Sequence, residues 1–296
     1  MKHVFIINPI AGKGDKYPDY IAKIHEAFKN RTDEYEIVLT EYRKHAIKIA
    51  RTYAESGEPV RLYAFGGDGT VNEVVTGAYG YDNVEIAAYP AGTGNDFIKV
   101  MGDTDWSNLE NLIDGECKTI DLIHINDRLC ANITNIGFDA KVAANVVRFK
   151  NVLGGHLAYY ISVFYTLLGK ITMRAKILID DVVVHDGETL LCISANGNVY
   201  GGGFHVAPKA SVLDGLLDFV VVQKVRKIDI AGFVNKYKSG EHEGLERWLK
   251  SFRGKKLTIE SDSDMTVCID GEIINSKKCD ISIIPSALKC IFPKSV

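Results

Sequence analysis

The chain reads as a doubly wound α/β domain followed by an antiparallel, all-β domain. Two observations predict this. In the N-terminal third, short apolar runs alternate with helically spaced segments, and three of the runs end in glycine-bearing turns. After Asp121 the rhythm changes to short, β-branched-rich runs separated by Asn-Asp, Asp-Asp, Asp-Gly and Gly-Gly turns, the pattern of an antiparallel sandwich or barrel. A domain boundary near residue 122 follows, dividing the chain into 1–122 and 123–296, with the extreme C-terminus able to pack back on the first domain.

In order, Val4 to Ile7 is a first strand and ends in the turn Asn8-Pro9-Ile10-Ala11-Gly12-Lys13-Gly14. Helical spacing runs from Tyr17 to Phe28, a strand from Tyr35 to Leu39 ends at Thr40, and a second helix covers Ala46 to Tyr53. Val60 to Phe65 is the third strand. It feeds Gly66-Gly67-Asp68-Gly69-Thr70 and a helix whose apolar positions are Val71, Val74, Val75 and Ala78. Ile86 to Tyr89 is the fourth strand, ending in Pro90-Ala91-Gly92-Thr93-Gly94-Asn95-Asp96. The second half shows strands at 122–125, 177–179, 182–185, 190–195, 217–222, 257–260, 265–269 and 280–284, with helices near 157–168 and 228–238. Asp214-Gly215 and Asp270-Gly271 read as hairpin turns on spacing alone.

Composition sets the bounds. The 296 residues are 46% apolar and 25% charged, with a net charge of −3, so no bulk electrostatics call for nucleic acid or an anionic membrane, while a local basic patch stays open. The six cysteines form no Cys-x-x-Cys pair and read as reduced thiols of a cytoplasmic protein. The apolar run at Val4 stops at Asn8-Pro9, too soon for a signal peptide. From Asn151 to Gly169 the only group able to carry charge is His156, yet glycines, Ser162, Thr166 and three tyrosines make the stretch less apolar than a membrane span. It is either a core helix or one that faces lipid.

The glycine turns carry the chemistry. A strand-turn-helix with several glycines brings backbone N–H groups and a helix N-terminus to one point, which suits phosphate. Asp68 would repel a phosphate unless a cation lies between them, so the stretch proposes phosphate with Mg²⁺. Taken alone, such a turn is equally one that binds nothing. Three of them at strand C-termini, carrying Lys13, Asp68, Thr93 and Asp96, point to a polyphosphate site.

Several stretches together resemble one family, the diacylglycerol kinase catalytic domain of bacterial lipid kinases and of diacylglycerol and sphingosine kinases. They are Asn8-Pro9-x-x-Gly12, Gly66 to Val74, Pro90 to Phe97, Asp121, Asn135-x-Gly137-Phe138-Asp139, Gly201 to Phe204, Asp214 to Asp218 and Asp270-Gly271-Glu272. Their order and spacing hold across nearly the whole chain. The resemblance implies an active site in a cleft between an α/β domain and a β-sandwich domain, with ATP and Mg²⁺ as cofactors. It implies nucleotide contacts at Asn8, Lys13, Thr40, Gly66, Gly67, Asp68, Gly69, Thr70, Glu73, Thr93, Gly94 and Asn95. Catalytic Mg²⁺ falls to Asp68 with Asp121 through water, and a structural Mg²⁺ to Asp214 with the carbonyls of Ser211 and Leu216. Asp270 becomes the general base, supported by Glu272.

The implied reaction moves the γ-phosphoryl group of ATP to a lipid hydroxyl, with diacylglycerol first among the acceptors and phosphatidylglycerol or a sphingoid base as alternatives. A non-catalytic lipid- or nucleotide-binding regulator is the rival from another class. The expected setting is cytoplasmic, peripheral to the inner membrane surface, with the lipid substrate as partner, no nucleic acid, and a homodimer as the prior for assembly. Two positions depart from the family's pattern: Lys44-His45-Ala46 follows Thr40 where a glycine often stands, and Phe97-Ile98-Lys99 replaces Phe-Ala-Arg, losing bidentate recognition.

Overall fold

The computed structural model describes residues 1–12, 16–102, 105–153, 155–242 and 244–294, without the side chains of 150–153, 155, 156, 231 and 235. Lys13 and Gly14 therefore lie outside the described residues. The chain divides into two compact units, Met1–Leu122 with Ile284–Val296, and Ile123–Ile283.

The first unit contains β1 (Lys2–Ile7), α1 (Tyr17–Phe28), β2 (Tyr35–Leu39), α2 (His45–Glu55), β3 (Val60–Gly66), α3 (Asp68–Ala78), β4 (Val84–Pro90), α4 (Asp96–Lys99) and α5 (Leu109–Ile113). β1 pairs in parallel with β2 and β3, and β3 with β4, giving the order β2-β1-β3-β4. Val4 to Ile7 and Leu62 to Phe65 are buried, as strands covered by helices on both faces must be, which is why they read as continuous apolar runs. α3 buries Val71, Val74, Val75 and Ala78. Gly77 lets it lie against α2, where a Cβ would sit 2.7 Å from that of Ala50. The chain leaves β1 toward β2 on one side and reaches β3 on the other, so the switch point of the sheet lies between the C-terminal ends of β1 and β3.

β5 (Glu116–Ile125) leads into the second unit. There follow β6 (Arg128–Cys130), β7 (Ile133–Gly137), α6 (Phe138–Leu153), α7 (Gly155–Leu168), β8 (Met173–Ile179), β9 (Val182–Ala195), β10 (Leu217–Gln223), α8 (Ile230–Ser239), β11 (Leu249–Gly254), β12 (Lys256–Ile269) and β13 (Glu272–Phe292). All pairings among these strands are antiparallel. β10 shows how the unit is built. Leu217, Phe219 and Val221 enter one core with strands β8 and β12, while Val220 and Val222 enter another with α6 and α8.

Several expected runs merge. Val182–His185 and Leu190–Ala195 are one strand, because β9 pairs first with β8 and then with β7 and β10 without a turn at Asp186-Gly187. β12 likewise bridges 257–260 and 265–269 through a change of register between Glu260 and Met265. Asp270-Gly271 is the expected two-residue hairpin, with Ile269 opposite Glu272 and φ of 44° and 90°. Asp214-Gly215 is not a hairpin: it closes an irregular stretch and opens β10. α6 was unanticipated, since its fully buried apolar positions in the described part, Phe138, Ala140 and Val142, all lie in its first turn and a half. Among the described residues no helix is long and apolar enough to cross a membrane.

Candidate active site

The first unit gathers the glycine turns into one cradle. Parallel pairing puts the C-terminal ends of β1, β3 and β4 on one edge, with Ile7 beside Phe65 and Gly66 beside Pro90. Asn8 follows β1; its backbone N–H donates to Phe65 O at 2.9 Å, and its Nδ2 donates to Thr70 Oγ1 at 3.2 Å. Thr40 occupies the same edge, donating its N–H to Ile7 O at 2.9 Å. Gly66, Gly67, Asp68, Pro90, Asn95 and Phe97 line a concavity there.

Close backbone approach explains two of the glycines. A Cβ on Gly92 would lie 2.9 Å from the Gly67 nitrogen and 2.8 Å from Asn95 Oδ1, so the turns after β3 and β4 touch main chain to main chain. On Gly12, which has φ of 65°, a Cβ would lie 2.8 Å from Ala91 O. Asn95 itself is left-handed, at φ 51°, and its amide holds both the N–H and the carbonyl of Gly92. Replacing Gly92 with Ala is expected to lower stability by about 1–3 kcal/mol through overpacking. ATP affinity should fall with it, checked by thermal unfolding and calorimetric titration, and unchanged values for both would show that the turns can separate without loss.

The N-terminus of α3 faces this cradle, with Gly67 as its cap and Thr70 buried in its first turn. Gly69 is exposed there, and Thr93 is exposed on the neighbouring turn. Asp68 Oδ1 accepts the Phe97 N–H at 3.0 Å, and Gly94 passes so close that a Cβ would sit 3.0 Å from Asp68 Oδ2. Glu73 lies one turn further on. Its two oxygens accept the N–H groups of Lys44 and Ala46, at 2.9 and 3.2 Å, and so cap α2. The Lys44 departure is thereby explained: at φ 67° it makes the turn that a glycine would make, held by Glu73.

Asp121 is buried, and its Oδ1 accepts the Ser286 N–H at 2.7 Å, fixing a left-handed residue near the end of β13. Among the described residues no group of three His, Cys, Asp or Glu side chains could hold a metal. A Mg²⁺ at Asp68 would therefore rest on one or two carboxylates, with phosphate and water oxygens completing its shell, which is the set Mg²⁺ prefers when it travels with a nucleotide. The Asp214 loop is different. Asp214 Oδ1 accepts the Leu216 N–H at 3.1 Å, Oδ2 accepts from the Arg253 guanidinium, and Arg253 Nε lies 3.4 Å from Asp218. Ser211 turns its hydroxyl to the Leu213 N–H. In this structure the cation on Asp214 is the Arg253 guanidinium.

In the second unit, Asp270 sits at the tip of the β12–β13 hairpin. Its Oδ2 accepts the Ala131 N–H at 2.6 Å, and its Oδ1 accepts the N–H groups of Asn132 and Ile133 and the Cys130 thiol, at 3.1, 3.2 and 3.2 Å. Three successive backbone donors aimed at one carboxylate fix its position and orientation at the tip of the hairpin. Glu272 beside it is paired with Arg128 at 2.7 Å. Close by, at the ends of β7 and β9, Asn132 Oδ1, Thr134 Oγ1 and Ser194 Oγ are buried with no hydrogen-bond partner among the described residues, and Thr134 and Ser194 are directly opposed. Sequence reasoning missed these three and Arg253; the signal for the first group was polar residues inside apolar strand runs.

Residues 2–125 match the diacylglycerol kinase catalytic domain, and residues 132–292 match the YegS C-terminal NAD kinase beta sandwich-like domain. A "putative lipid kinase" of Staphylococcus aureus (strain MRSA252) is 29% identical over 279 residues, covering 92% of this chain and 90% of that one. Another, from strain JH9, is 30% identical over 233 residues, with 78% and 76% covered. Among solved structures, a "putative diacylglycerol kinase" from Bacillus anthracis superposes with a TM-score of 0.79 at 25% identity, covering 98% of this chain and 95% of that chain. An NAD kinase from Archaeoglobus fulgidus in complex with ATP reaches a TM-score of 0.53 at 13% identity, with 99% and 94% covered, a likeness of fold alone.

Proposed function

Because this chain belongs to the lipid kinase family that joins a diacylglycerol kinase catalytic domain to a YegS-type β-sandwich, we propose that it transfers the γ-phosphoryl group of ATP to a lipid hydroxyl, with diacylglycerol as acceptor and phosphatidic acid as product. The observation that carries the nucleotide half is the contact between glycine turns beside the N-terminus of α3, which offers backbone N–H groups to a polyphosphate. Asn8, Thr40, Thr70, Thr93 and Asn95 border that place, and Lys13 follows Gly12 in the sequence.

The acceptor half rests on Asp270. An alcohol is too weak an acid to be deprotonated before attack, so the carboxylate orients the hydroxyl and takes its proton late, as the bond to phosphorus forms. Its backbone donors hold it in place for that task, and Arg128 pairs with Glu272 beside it. Mg²⁺ travelling with ATP would neutralise charge on the phosphates, with Asp68 and, through water, Asp121 as its protein ligands. Peripheral action at the cytoplasmic face of a membrane, where the lipid is found, belongs to the same proposal.

Incubation with Mg²⁺, labelled ATP and a panel of diacylglycerol, phosphatidylglycerol, a sphingoid base and NAD tests it. Label is expected in phosphatidic acid. Transfer to another lipid alone would replace the acceptor, and transfer to NAD alone, or to nothing, would overturn the proposal.

A further inference from the structure

The hairpin that carries Asp270 meets β6 at two consecutive positions of one strand face. Residues two apart on a strand point the same way. Cys130 Sγ donates to Asp270 Oδ1 at 3.2 Å, and Arg128 Nη1 donates to Glu272 Oε2 at 2.7 Å. Two residues of strand rise about 7 Å, a span that an arginine side chain covers, so the guanidinium stands within reach of a group held at Asp270. β6 pairs with β5 alone among the described strands. The side chains of Arg128 and Glu272 are 34% and 33% exposed, open to a ligand while still in contact. Glu272 takes one of the five N–H donors of the guanidinium. A second acid, Asp127, lies 4.0 Å from Arg128 Nε, beyond hydrogen-bond distance, and is itself exposed.

A purely structural account makes this ion pair a tie between β6 and the hairpin. Yet the backbone N–H groups of residues 131–133 already tie the hairpin through Asp270, and an ion pair this exposed adds little. Charge gives the pair another use. Asp270 and Glu272 bring two carboxylates to the place where, on the proposed function, a phosphoryl group with its own negative charge arrives. The repulsion falls if a cation stands with the acids, and the cation in contact with Glu272 is Arg128. Its planar fork fits two oxygens of a phosphate as well as it fits a carboxylate, so it can pass from Glu272 to the phosphoryl group by side-chain rotation alone.

We propose that Arg128 is a further catalytic residue, which leaves Glu272 to hold the phosphoryl group as it arrives on the acceptor oxygen and the phosphate monoester that results. This deepens the proposed function and rests on it. In the step, the acceptor oxygen bonds to the γ-phosphorus, the bond from that phosphorus to the β–γ bridging oxygen breaks, and ADP leaves with its electron pair while the hydroxyl proton goes to Asp270. Arg128 donates hydrogen bonds to the non-bridging oxygens and exchanges no proton.

The full chain and its Arg128→Gln and Arg128→Lys variants are titrated calorimetrically with a soluble short-chain phosphatidic acid and with the matching diacylglycerol, and transfer from ATP to that diacylglycerol is measured in parallel. Arg128→Gln should lower affinity for the phosphatidic acid about tenfold or more and leave that for the diacylglycerol unchanged, since only the product carries the phosphate. Its kcat should fall about a hundredfold, with the KM for ATP unchanged. Arg128→Lys, which keeps the charge and loses the fork, should recover part of both losses. Thermal unfolding like the parent's shows that the fold is kept. A Gln variant that binds the phosphatidic acid as the parent does, a parent that does not bind it, or equal losses for product and diacylglycerol would each overturn the role of Arg128. Transfer by the parent together with any of these removes Arg128 alone. A parent that transfers to no lipid, yet loses affinity for the phosphatidic acid in the Gln variant, removes the kinase reading and with it the catalytic role, leaving Arg128 as a phosphate contact.

Discussion

Asp270→Asn is expected to reduce kcat by about 10²–10⁴, the range that a positioned general base supplies, while leaving ATP affinity intact. It should also lower the melting temperature. The amide must present its NH₂ group either to the Ala131 N–H or to those of Asn132 and Ile133, and no orientation satisfies both sets. A donor facing a donor leaves a partly buried group unpaired, at a cost of about 1–3 kcal/mol. The backbone does not confound the comparison, because Asn tolerates the left-handed φ of 44° as Asp does. The two losses separate when kcat is measured well below the melting temperature and scaled by the folded fraction. If activity then falls only in proportion to unfolding, Asp270 merely ties the β12–β13 hairpin to residues 131–133. If kcat falls a hundredfold or more in fully folded protein, the carboxylate acts on the acceptor.

That double duty could not be read in the sequence, where spacing made Asp270-Gly271 a two-residue hairpin and the resemblance made Asp270 a base, while nothing pointed to its backbone donors. The turn followed from local rules, since Asp and Gly accept positive φ; the donors came from residues about 140 positions earlier in the chain, and no local pattern encodes such a distance. The parallel sheet was easier. Its strands are continuous apolar runs, and its helices carry the 3.6-residue spacing that burial imposes, so α1 and β2 have the bounds the spacing predicts. In the second unit the period is two and the partners are remote, so the polar stretch Ser261 to Asp264 separates two expected runs although it is a change of register within one strand, β12. Asp214 shows the limit of a motif. Asp-Gly followed by apolar residues is the same string whether a metal or a guanidinium meets the carboxylate, and Arg253 lies far along the chain.

Asp68 permits a cleaner separation of charge from architecture. In Asp68→Asn the side-chain carbonyl can still accept the Phe97 N–H, so the start of α4 and the turn through Asn95 should stay in place, with stability within about 1 kcal/mol of the parent. What is lost is the negative charge beside the glycine turn. If that charge seats Mg²⁺ against the phosphates, kcat/KM for ATP should fall by about 10²–10³, the scale of removing one preorganised electrostatic contact, and the Mg²⁺ concentration for half-maximal rate should rise. Asp68→Ala should match the Asn variant in activity but melt lower, because the Phe97 N–H then loses its partner as well. An Asn variant with parental kcat/KM and Mg²⁺ dependence would mean that Asp68 only anchors α4, and the metal would have to be sought elsewhere. An Ala variant far less active than the Asn variant would show that the turn's geometry, more than the carboxylate's charge, positions the phosphates.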